Sequence, residues 1–170
     1  MTASSFDVVD FLSKAGVGVI TGAIAAVVTA KVALNRFYHE KWWEKKHASY
    51  NQLIEILFEI KAIYNHASDY YDRVADSERN LTRMPEDEVD WVKYHELKAQ
   101  LRRFYVLAPI SLSPSSRSLL SQFFEKDAAV SQSVHEEGYP DFIAYNDMEK
   151  NTQNLIDAIV QDAEVELKFK

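Results

Sequence analysis

"SYNQLIEILFEIKAIY", residues 49–64, sets the fold class. Tyr50, Leu53, Ile54, Leu57, Ile60 and Tyr64 recur at three- and four-residue spacing, so a helix places them on one broad face. Asn51, Glu55, Glu59 and His66 fall opposite. A helix that is apolar on one side only must bury that side against other helices.

Downstream the pattern recurs. The first helix is expected to run to about Arg73, followed by a loop at "DSERNLTRMPEDE" (76–88). Pro85 should open the next helix, with Tyr94, Leu97, Leu101, Phe104, Tyr105 and Ala108 as its apolar face and Pro109 as its end. In "SLSPSSRSLLSQFF" (111–124), Ser113 is a natural N-cap, Pro114 suits the first helical position, and Leu119, Leu120, Phe123 and Phe124 follow. Gly138 and Pro140 mark the boundary before a last helix, whose core side is Phe142, Tyr145, Met148, Leu155, Ile156, Ile159 and Ala163. No stretch alternates with the period of a strand. The fold class is all-α, with residues 48–170 as an antiparallel four-helix bundle.

Upstream the chain changes character. "GVGVITGAIAAVVTA" (16–30) has no ionisable side chain, and Val32, Ala33 and Leu34 extend the apolar run past Lys31. Residues 15–34, at about 1.5 Å each, match the roughly 30 Å hydrocarbon core of a bilayer, so one N-terminal transmembrane helix is expected there. A cleaved signal peptide fits less well, because the preceding segment 1–14 holds Asp7, Asp10 and only Lys14. One Lys precedes the span, while Lys31, Arg36, Lys41, Lys45 and Lys46 follow it. This bias puts the C-terminal side in the cytoplasm and the N-terminus outside. Residues 35–47 form a basic neck, and Lys31 at the end of the span, with Arg36, Trp42 and Trp43 in the neck, are the candidate membrane-interface anchors.

The span has two faces. Gly18, Gly22, Ala26 and Ala30 recur every fourth residue, with Thr21, Ala25 and Thr29 as a second small ladder beside them. Small residues let helix backbones approach closely in lipid, so the first ladder is the expected packing face of a homo-oligomer. In a ring of subunits, Thr21, Ala25 and Thr29 are the candidate pore-lining positions.

Composition narrows the chemistry. There is no Cys, which removes disulfides, thiolate metal sites and cysteine nucleophiles. After Lys46 the chain carries 13 basic and 22 acidic side chains, a balance that repels phosphate backbones and makes nucleic acid an unexpected partner. The five histidines form no metal-binding pattern: "HELKA" at His95 lacks a second His, and His66 with Asp69 supplies two ligands only. No Gly-rich phosphate loop and no nucleophile elbow occurs. Glu55 with Glu59, and Asp162 with Glu166, read as solvated acidic faces, and the aromatic residues as packing. No catalytic residue, cofactor or metal is expected.

With "ALNRFYHEKWWEKKHASYNQLIEILFEIK" (33–61) read as a unit, the chain resembles the membrane accessory proteins of type VI-B CRISPR systems. These are small bacterial proteins with one span before a HEPN-like helical domain, so the resemblance implies the bacterial inner membrane. The resemblance implies a ring-shaped oligomer that forms a membrane pore and depolarises an infected cell. HEPN ribonucleases use Arg, four to six residues, then His, and no pair here has that spacing, so an inactive scaffold is implied. Two functions stand side by side. One is a homo-oligomeric, pore-forming membrane effector triggered by a protein partner or small ligand. The other is a membrane-tethered adaptor that recruits a cytosolic partner through its acidic bundle. Expected partners are membrane lipid and further copies of the chain.

Overall fold

The computed structural model describes residues 8–168 apart from Thr82 and Glu137, and describes side chains from Ala25 onward except those of Pro109 and His135. Four helices follow in order: α1 (Val8–Asn80), α2 (Trp91–Ser111), α3 (Pro114–Glu136) and α4 (Asp141–Leu167). No strand occurs among the described residues. The chain divides into two units, one ending at Glu44 and one beginning at Lys45.

The second unit is an antiparallel four-helix bundle, and its side-chain pairs give the direction of each neighbour. Against α4, α1 pairs Lys46 with Glu166, Tyr50 with Asp162, Lys61 with Gln153 and Ser68 with the Phe142 carbonyl. As one number rises the other falls, so the two helices are antiparallel. Tyr94 and Lys98 of α2 both meet Asp127 of α3, and Arg117 of α3 lies over the Tyr105 ring, again antiparallel. The core holds Tyr50, Leu53, Leu57, Ile60 and Tyr64 from α1, with Leu101, Leu120, Met148, Ile156 and Ile159 from the other helices. The expected apolar faces are therefore the buried ones.

Helix ends differ from expectation in three places. α1 runs on to Asn80 rather than to about Arg73, and Leu81 follows in the left-handed region at φ +54°, a position usually filled by glycine. α2 begins at Trp91 and not at Pro85, because the signal that starts it is Asp90, whose carboxylate accepts from the Lys93 N–H at 2.9 Å. Before it, Arg73 binds Asp87 at 2.7 Å and holds that carboxyl below the usual carboxylate range. Pro109 does not end α2. The helix carries through to Ser111, losing only the bond that proline's missing N–H cannot make, and the Leu112 N–H closes on the Ala108 carbonyl at 2.8 Å. The α3 start is as expected: Ser113 Oγ accepts from the Ser116 N–H at 3.0 Å, with Pro114 first in the helix.

The first unit is described by itself. Its residues from Ala25 to Lys41 are exposed, including Val27, Val28, Val32, Leu34 and Phe37. Arg36 pairs with Glu40 at 3.1 Å and Lys41 with Glu44 at 2.8 Å along the same helix. No helix is long and apolar enough to cross a membrane among the fully described residues, and residues 15–24 of the expected span lie outside that set. Lys46, assigned by sequence to a basic neck, is instead a buried member of the bundle, ion-paired to Glu166.

Candidate functional site

One residue type looks misplaced in the bundle. Leu120, Phe123, Asp127 and Val130 follow the three-four spacing of the α3 core stripe, so an acid occupies a position where packing calls for a hydrocarbon. Asp127 is 6% exposed. A buried carboxylate is stable only when its oxygens are matched, and each match here comes from a different helix. Oδ1 accepts from the Tyr64 hydroxyl of α1 at 2.7 Å and from the Tyr94 hydroxyl of α2. The Lys98 ammonium of α2 forms an ion pair with Oδ2. Lys98 also lies 5.6 Å from the centre of the Tyr94 ring, an additional attraction between cation and ring.

Above this acid a cavity of about 300 Å³ opens between the four helices, at the small end of the range for ligand pockets. Its wall is aromatic. Tyr145 of α4 stacks on Tyr71 at 5.5 Å and meets Trp91 at 5.1 Å, while Trp91 stands edge-on to Tyr94 at 5.6 Å. Val130, Ser131, Val134 and Met148 complete the lining, and the exposed His95 is at its rim. Burial raises the Tyr64 phenol far above its ordinary range, with the neighbouring Tyr94 and Asp127 adding to the effect. Tyr94 and Tyr145 are raised as well, again chiefly by burial. All three phenols therefore stay protonated, and Tyr64 and Tyr94 donate to Asp127. The arrangement offers flat aromatic faces, a buried acid, and a partly exposed lysine as its counter-ion.

A second buried polar knot ties the helices at the other end. Asp162 Oδ2 accepts from Tyr50 at 3.2 Å and from the hydroxyls of Ser113 and Ser116, while the Ser113 N–H donates to the Tyr50 oxygen at 3.1 Å. The sequence reading of Asp162 and Glu166 as a solvated acidic face is thus overturned: both are anchors across helices. His66 lies 3.5 Å from Asp87. Among the described residues no group of three acidic or histidine side chains is placed to hold a metal ion.

The positions singled out by sequence are all on α1. Gly18, Thr21 and Gly22 lie before Ala25, outside the residues whose surroundings are described. Ala25, Ala26, Thr29, Ala30, Lys31 and Arg36 are exposed, Trp42 is exposed and Trp43 half-buried. Asp127, Lys98 and the pocket they floor went unrecognised in the sequence. The available signal was one acid on an apolar stripe.

Compared with family models, with characterised proteins and with solved structures, the chain has no match in any of the three.

Proposed function

We propose that this chain is a membrane-anchored, self-associating effector whose helical bundle senses a small ligand in the pocket over Asp127. The apolar N-terminal stretch supplies the anchor, with its charge-free residues 16–30 and the exposed Val27, Val28, Val32 and Leu34 in support. Gly18, Gly22, Ala26 and Ala30 are the contact between copies, and in a ring Thr21, Ala25 and Thr29 face the passage. This extends to the antiphage pore implied by the resemblance to CRISPR membrane accessories.

The observation that carries the sensing role is the buried Asp127 carboxylate, with its Lys98 counter-ion, lining a cavity walled by five aromatic rings. A scaffold needs neither the buried pair nor the space above it, since hydrocarbons at positions 98 and 127 together would pack at no greater cost. The ligand class that fits is an aryl-alkyl amine or amidine. Its ring stacks on Tyr145 and Trp91, and its ammonium donates to Oδ2 in place of Lys98.

The test is a fluorescence titration of the full chain with phenethylamine in a Trp42→Phe/Trp43→Phe background, where Trp91 is the remaining indole. Saturable quenching that disappears in Asp127→Asn is the expected result. Equal quenching in both proteins, or none in either, would defeat the sensing role.

A further inference from the structure

The outward side of α2 carries a second surface with no assigned role. Leu97, Leu101 and Ala108 are buried on the core side. On the opposite side, Arg102, Val106 and Ile110 recur every fourth residue, with Arg103 and Leu107 beside them. Val106 is 73% exposed, Leu107 56% and Ile110 73%, and both arginines are exposed. Three large aliphatic side chains together in water, at the end of a helix whose other face already fills the core, form a patch that folding alone does not explain.

The charge around the patch is the reverse of the rest of the chain. Residues 97–124 hold four basic side chains (Lys98, Arg102, Arg103, Arg117) and no acidic one, in a protein of net charge −7. Lys98 is turned inward to Asp127, which leaves three cations at the surface. Of these, Arg117 lies over the Tyr105 ring. Position matters equally. Just past α2, the Ser113 N–H donates to the Tyr50 hydroxyl, so this end of the bundle is the one where the chain enters at Lys45. Along the sequence, the apolar stretch ending at Leu34 is only eleven residues before that entry point.

We infer that the Arg102–Ile110 face of α2 docks on an anionic bilayer surface. Val106, Leu107 and Ile110 enter the headgroup layer, and Arg102 and Arg103 pair with lipid phosphates. Apolar residues flanked by arginine on one helix face are the composition that interfacial helices use, and each cation near an anionic leaflet adds attraction that salt screens. The inference rests on the membrane-anchored reading of the chain.

The cysteine-free sequence gives a direct test. A nitroxide is attached to Val106→Cys in the full chain, reconstituted in vesicles of phosphatidylcholine with or without phosphatidylglycerol, and its accessibility to oxygen and to a water-soluble nickel complex is compared. A label at Asn154→Cys, on the exposed side of α4, is the aqueous reference. The expected result is an oxygen-to-nickel ratio severalfold above the reference in anionic vesicles, falling to the reference in Arg102→Glu/Arg103→Glu. Ile110→Cys repeats the measurement if the first label perturbs the fold. A label as water-exposed as the reference, in a chain that floats with the vesicles, overturns the docking and leaves the anchor standing. Strong spin–spin coupling between labels without a rise in the ratio also overturns it, and assigns the face to a second copy. A chain that does not float at all overturns the anchor itself.

Discussion

Removing the Asp127 carboxylate should cost the bundle a definite amount, and the geometry says how much. In Asp127→Ala two phenol protons and one ammonium lose their acceptor. The Tyr64 and Tyr94 oxygens lie 2.8 Å apart, so one phenol can donate to the other and only one proton is orphaned. An orphaned buried donor costs about 1–3 kcal/mol. Lys98 keeps 21% exposure, and its stem lets the ammonium reach water, so its loss is near the roughly 1 kcal/mol of a partly screened pair. Together these give about 2–4 kcal/mol, a large share of the 5–15 kcal/mol that holds a typical domain. For a chain of this size that lowers Tm by roughly 4–16 °C. Chemical denaturation followed by circular dichroism gives the free energy. Adding Lys98→Met to Asp127→Ala should recover about 1 kcal/mol relative to the sum of the single variants, because replacing both members of a buried pair is cheaper than stranding one. An Asp127→Ala chain within about 0.5 kcal/mol of the parent would refute the reasoning. So would strict additivity in the double variant.

Two further outcomes follow from features already described. The raised phenols of Tyr64, Tyr94 and Tyr145 give alkaline instability with a definite sign. The unfolded chain ionises near the ordinary phenol value of about 10 while the folded one does not, so stability holds below about pH 10 and falls as pH rises beyond it. Phenolate absorbance should then show part of the nine tyrosines titrating only as helicity is lost, and a single smooth titration preceding any loss of helicity would contradict the burial argument. Gly22→Leu, on the proposed packing face, should reduce the particle mass of the detergent-extracted chain to that of a monomer, and an unchanged mass would remove that face from assembly.

What could be read from the sequence was what local spacing encodes. The apolar faces of all four bundle helices follow from periodicity, and the α3 start follows from Ser113 and Pro114, which act within one turn of each other. The errors came where one local signal outweighed another. Pro85 drew the α2 start forward, although Asp90 and not proline supplies the oxygen that the first free N–H groups need. Pro109 can sit inside α2 because it falls near the end, where a single missing bond is tolerated. The pocket was hidden for a different reason. Asp127 is matched by residues 33 and 63 positions away, and nothing in the spacing of an acid reveals partners at that distance. Asp162 was misjudged in the same way, because its neighbour Glu166 gave it the look of an acidic surface while its real partners came from α1 and α3.

The seam between α1 and α4 has a mechanical meaning. Its pairs stand at four levels along the bundle, from Lys46 with Glu166 to Ser68 with the Phe142 carbonyl. Sliding α1 along α4 loads all four levels together, whereas opening the seam from one end peels them one after another. A lap joint glued along its length carries far more shear than the same joint pulled open from one edge. Sliding of α1 along α4 is therefore the distortion that this seam resists most.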